Sequence, residues 1–162
     1  MAKNTNSNDL QRRWDTLCTI PFGKNIFNFL ISLYIPYTGS ISAKVQELKP
    51  GYAKVTLGDR RKVRNHLKSV HAIALANLAE YTGNLALVCS MPEDARFIVK
   101  NISIDYIKKA RGTLIAECHA PFVENSEKKE FSVEVTIRDS DGDVVVTGKL
   151  LTLVGPKKTE SK

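Results

Sequence analysis

The chain has 162 residues, 43% hydrophobic and 25% charged, values ordinary for a soluble globular protein and sufficient for one domain with a real core. Its 24 Lys+Arg against 17 Asp+Glu give a formal +7, which favours anionic partners without choosing among phosphates, nucleic acid and acidic surfaces. Cys18, Cys89 and Cys118 are odd in number and far apart, with no CxxC and no histidine at metal-ligand spacing, so neither a disulfide framework nor a bound metal is expected.

Residues 1–9 are polar, lack the apolar core of a signal peptide and read as a disordered tail. Leu10 to Leu33 mixes apolar and polar residues at helical spacing and is broken at Pro21 and Gly23, which predicts one or two short helices. Pro36 and Gly39 punctuate a loop. From Ser40 the period changes to two: Ile41, Ala43 and Val45 alternate with polar residues, Pro50-Gly51 turns, and Ala53, Val55 and Leu57 alternate again, as in a hairpin with one buried face. A basic loop follows, with Arg60, Arg61, Lys62, Arg64 and Lys68.

Val70 to Cys89 predicts one helix that is apolar nearly all round and therefore enclosed. Further alternation marks strands at Ile102–Tyr106, Leu114–Ala120, Phe131–Ile137 and Val144–Val154, with Asp141-Gly142 as a turn. Helix, two strands, long helix, four strands is the order of an antiparallel α+β domain rather than of parallel βαβ units. Residues 10–154 form the expected single domain, and 155–162 a disordered basic tail. The weakly charged run Ser69–Pro92 holds Asn77, Glu80, Thr82, Gly83 and Asn84, too many polar groups for a membrane span, so a cytoplasmic protein with no membrane partner is expected.

Glu80 is the only formal charge between Lys68 and Glu93. A carboxylate on a buried helix must find partners, shift its pKa or do chemistry. Asn65 lies six residues before His71, and Glu80 nine after it. This spacing resembles the hotdog-fold thioesterases related to phenylacetyl-CoA thioesterase, which place an Asn six residues before a His-Gly-Gly and an Asp or Glu nine after the His. The Pro-Tyr-Thr-Gly stretch at 36–39, the Arg-Asn-His run at 64–66 and the Lys-Lys-Ala-Arg-Gly run at 108–112 resemble a less characterised branch of that superfamily. The resemblance implies a curled antiparallel sheet of about six strands around a long central helix. It also implies an acyl-CoA thioesterase acting as a homodimer, or a dimer of dimers, with no cofactor.

In those terms Glu80 would be general base or nucleophile, and Asn65 would orient the water or the carboxylate. The Ala72 N–H would hold the oxyanion at the helix N-terminus. His71 would shape the helix start more than move protons. The chain departs from the pattern in reading His71-Ala72-Ile73, where the Ala72 methyl and the Ile73 side chain narrow the approach. Ala72 and Glu80 are about 12 Å apart along one helix at 1.5 Å per residue, so they reach one carbonyl only across two antiparallel copies of it. Arg60, Arg61, Arg64, Lys108, Lys109 and Arg111 are the candidates for CoA phosphates. A non-catalytic hotdog module that binds an acyl ligand or regulates a partner is the alternative. Nucleic-acid binding is the weakest reading, since no aromatic platform accompanies the charge.

Overall fold

The computed structural model describes residues 8–157. Asn8 caps the first helix, α1 (Asp9–Cys18), by accepting the Leu10 N–H at 2.9 Å, and its amide donates to the Val88 carbonyl at 2.9 Å. Asn8 and Asp9 thus belong to the folded unit, not to the expected tail, because a capped helix start is pinned to the far end of the central helix. Residues 1–7 lie outside the described residues. α1 buries Trp14 edge-on against Phe27 of α2 (Gly23–Tyr34), ring centroids 4.9 Å apart. The break between the helices falls where Pro21 and Gly23 predict it. A Cβ on Gly23 would sit 1.6 Å from the Leu17 carbonyl oxygen, so only glycine fits. Pro36–Gly39, expected as a loop, is a single helical turn, α3, with Pro at its first position, where its missing N–H has no bond to lose.

Six strands form one antiparallel sheet: β1 (Lys44–Lys49), β2 (Tyr52–Leu57), β3 (Ala95–Tyr106), β4 (Leu114–His119), β5 (Lys129–Arg138) and β6 (Val144–Pro156), in the order β1-β2-β4-β5-β6-β3. Strand β1 begins at Lys44 rather than at Ile41. A register shift between Val45 and Glu47 then resets its phase, so that Leu48 rather than Glu47 turns into the core. Strand β3 starts seven residues before Ile102, and a register shift between Val99 and Asn101 moves the inward face from Ala95, Phe97 and Val99 to Ile102, Ile104 and Tyr106. Strand β6 passes the expected boundary at 154, because Gly155 and Pro156 pair with Arg96 and Ala95 of that longer β3. Residues 158–162 of the expected tail lie outside the described residues.

The two sheet edges differ. At β1 the Asn28 side chain mimics a strand: its Oδ1 accepts the Val45 N–H at 2.7 Å and its amide donates to the Val45 carbonyl at 3.2 Å. Lys24 Nζ donates to the Gln46 carbonyl and Gln11 Nε2 to the Leu48 carbonyl. The β1 edge is therefore closed by α1 and α2. The outer edge of β3 pairs with nothing among the described residues.

The central helix α4 (Ala72–Val88) lies in the concave face of this sheet, giving the α+β hotdog architecture that the resemblance implies. Leu78, Ala79, Ala86 and Leu87 are fully buried, and each large apolar side chain so buried contributes about 1.5–3 kcal/mol. Small residues set the approach. A Cβ on Gly83 would lie 2.1 Å from Leu150 Cδ1, and one on Gly148 3.2 Å from the Ala79 Cβ. One expectation is corrected. The helix is not enclosed all round: Ala72 and Ile73 are exposed, Ile73 by 57%, and Ala76, Glu80 and Asn84 of the same stripe are only half-buried.

Gly83→Ala should destabilise the fold by about 1–3 kcal/mol in chemical denaturation, because overpacking against Leu150, Val133 and Val135 outweighs the gain of about 1 kcal/mol in helix propensity. An unchanged or higher midpoint would show that the contact relaxes freely.

Candidate active site

The loop before α4 is folded by its own side chains. Asn65 Oδ1 accepts the Leu67 N–H at 2.9 Å, and the Ser69 N–H and hydroxyl at 3.2 Å each. The His71 N–H donates to the Val63 carbonyl at 2.8 Å and the Val70 N–H to the Ala110 carbonyl at 2.9 Å, which fixes where the helix begins. His71 is its N-cap: Nδ1 accepts the Ile73 N–H at 3.1 Å, which places the imidazole proton of the neutral ring on Nε2. Among the described residues the Ala72 N–H finds no backbone acceptor, and the Tyr106 hydroxyl donates to the Ala72 carbonyl at 3.0 Å. The helix thus opens on a free donor at its positive end, with the end of β3 beside it.

Two turns along, Glu80 stands half-buried on the open stripe and makes no hydrogen bond or ion pair among the described residues. Two further groups share its face. Asn77 precedes it by three residues and Asn84 follows by four, the spacings that make neighbours on a helix. The Oδ1 atoms of both are buried and have no donor among the described residues. The Asn77 amide reaches the Tyr37 carbonyl at 3.4 Å. The amide oxygens are closed off from solvent, so the half-buried Glu80 carboxylate is the acceptor here that a hydrogen-bond donor such as water can reach. In the sequence Asn77 and Asn84 speak only against a membrane span. Their spacing around Glu80 was the available signal.

The basic runs, far apart in sequence, are joined through Asp59. Its carboxylate accepts Arg64 Nε at 2.6 Å and the Gly112 N–H at 3.0 Å. The Arg64 hydrogen bond, against the opposing cost of burial and with help from the Gly112 N–H, holds the Asp59 carboxyl below the usual carboxylate range. Lys108 is bound to Asp139 at 2.8 Å and Asp143 at 2.6 Å, and these bonds push its ammonium up to about 12. Arg60 donates to the Ile41 carbonyl. Of the six candidate phosphate ligands, Arg60, Arg64 and Lys108 are engaged within the fold. Arg61, Lys109 and Arg111 are exposed and form no ion pair among the described residues.

Among the described residues no cluster of three His, Cys, Asp or Glu could hold a metal ion. Cys89 and Cys118 are buried, and burial pushes both thiols up to about 12, whereas Cys18 is exposed. No helix of the described residues is long and apolar enough to cross a membrane.

Residues 23–154 match the family model described as "Domain of unknown function (DUF4442)". No curated protein matches. The fold is shared with a structural-genomics protein designated APC5556, at 28% identity and TM-score 0.79, covering 91% of this chain and 99% of that one. It is also shared with a Pseudomonas aeruginosa protein of unknown function described as a "Probable Thioesterase", at 22% identity and TM-score 0.72, covering 85% and 97%. A thioesterase family protein from Silicibacter pomeroyi aligns at 13% identity and TM-score 0.68, covering 80% and 96%.

Asp59→Asn should loosen the junction of the two basic runs, lowering stability at neutral pH by about 1–2 kcal/mol. Because the folded-state pKa is depressed, this contribution is complete above the unfolded value of about 3.9 and is lost as pH falls through the folded one. Denaturation curves of wild type and variant should therefore run parallel above about pH 5 and converge in acid. A gap that persists at low pH would refute the ionic origin.

Proposed function

The chain belongs to the DUF4442 family, and we propose that it is an acyl-CoA thioesterase acting as a homodimer. The observation that carries this reading is Glu80: a carboxylate with no partner among the described residues, half-buried on the open stripe of α4. Glu80 takes a proton from a water as its oxygen bonds to the thioester carbon. The C–S bond then breaks and the proton passes to the departing sulfur. Direct attack by the Glu80 carboxylate is the other route open to the same geometry. The thioester oxygen is held by the Ala72 N–H at the helix N-terminus, beside the loop organised by Asn65. His71, as N-cap, positions that N–H. Arg61, Lys109 and Arg111 are left to meet the phosphates of CoA.

The two halves of this site come from different copies. Pairing of β3 with the β3 of a second copy would extend the sheet across its open edge, and it would place the two α4 helices antiparallel, with Ala72 of one near Glu80 of the other. The inward residues Ile102 and Tyr106 of β3 are exposed in the single chain, as expected of a surface that lacks its neighbour. One observation favours the alternative, a non-catalytic acyl-binding module: the Ile73 side chain stands exposed beside the proposed oxyanion donor, where the resembling enzymes carry glycine.

A thiol-release assay over a panel of acyl-CoA thioesters decides between them. Wild type should turn over at least one, Glu80→Ala should lose about 10²-fold or more, and Asn65→Ala should lose less. Turnover that survives Glu80→Ala would overturn the mechanism, and tight acyl-CoA binding without turnover would establish the module. By light scattering wild type should be at least dimeric. Ile102→Lys should yield monomer and lose activity together, and a fully active monomer would exclude the shared site.

A further inference from the structure

Tyr106 is the last residue of β3, and it reaches the site because that strand is irregular. The register shift between Val99 and Asn101 puts Ile102, Ile104 and Tyr106 on the inward face. Without it the phase of Ala95, Phe97 and Val99 would run on to Asn101, Ser103 and Asp105. The shift therefore leaves Asp105 exposed and delivers a phenol to the first turn of α4, where the Tyr106 hydroxyl donates to the Ala72 carbonyl at 3.0 Å. A carboxylate in that place would accept instead of donating, and it would repel an oxyanion forming at the helix start.

The fold does not need this bond. The groups left over at a helix start are its first N–H groups, whereas the carbonyls of the first turn accept from within the helix. The Tyr106 side chain is 48% exposed, so water would satisfy its hydroxyl. Burial of the remainder pushes the phenol up, which keeps it protonated and a donor at neutral pH. What the bond does is hold residue 72. The His71 N–H is tied to the Val63 carbonyl and the Val70 N–H to the Ala110 carbonyl, so the chain entering α4 is held from the loops. Tyr106 grips the next residue from the sheet. Ala72, caught between these tethers, carries the N–H that has no backbone acceptor among the described residues. A first turn held from the loops alone is free to tilt, and the N–H tilts with it. We propose that Tyr106 is a positioning residue: its hydroxyl, acting through the Ala72 carbonyl, aims the Ala72 N–H at the thioester oxygen. The proposal rests on the reading of Ala72 as oxyanion donor. The phenol is not itself a donor to substrate, because its one proton is committed to the backbone.

Tyr106→Phe removes the hydroxyl and keeps the ring. In the thiol-release assay kcat should fall about tenfold while KM stays within about twofold, because a misaimed donor costs the transition state more than the bound substrate. A second readout needs no turnover. A ketone analogue of hexanoyl-CoA, with a methylene in place of the sulfur, is bound to the full chain and the infrared stretch of its carbonyl is measured. Wild type should lower that frequency relative to the free analogue, and Tyr106→Phe should lower it less. The variant should keep the wild-type mass in light scattering. A smaller mass would make the hydroxyl an assembly contact and overturn the proposal. So would an equal kcat, a loss confined to KM, an equal band shift in both proteins, or a wild-type complex with no shift. A wild-type band shift that the variant loses, with turnover by neither, would remove the thioesterase reading and leave the role of Tyr106 standing.

Discussion

Everything about the site depends on how closely the central helix can approach the sheet. At Gly83 a side chain would occupy the space of Leu150, and Gly148 admits the Ala79 methyl by having no side chain of its own. A helix seated by such contacts has one rotation about its axis. That rotation puts Leu78, Ala79, Ala86 and Leu87 into the core and leaves Ile73, Ala76, Glu80 and Asn84 along a gap bordered by the end of β3, where Tyr106 bonds the Ala72 carbonyl. The position of the carboxylate is thus a consequence of packing on the adjacent side of the helix.

Much of this is legible in the residues themselves. Alternation in β4, β5 and β6 reports burial directly, because both neighbours of each strand are present and one face alone is covered. Glycine and proline at 21, 23 and 36 mark breaks that the backbone obeys. The spacing of Asn65, His71 and Glu80 places the first two in the loop and cap that begin α4, and the third on its open stripe.

What the sequence withholds is whatever depends on contacts distant in the chain. The irregularity in β1 changes which of Glu47 and Leu48 faces inward, and no local pattern announces it. Asp59 reads as an ordinary loop residue until Gly112 is seen donating to it. Lys108 belongs to a basic run on paper and to two aspartates in space. The open side of α4 is invisible for a different reason: an apolar helix has the same composition whether its last side is covered by its own chain or by a second copy.

The amide of Asn28 carries a consequence for assembly. By occupying the hydrogen-bonding groups of Val45 it removes one of the two ends at which a sheet can grow. A subunit with two adhesive ends can add copies indefinitely, head to tail, into a fibril. A subunit with a single end can only satisfy it with the identical end of another, through a two-fold axis, and growth by that route then stops at a pair. One side chain on α2 therefore helps to set an upper limit on sheet-mediated growth, and it does so from the side of the molecule remote from the edge that remains available.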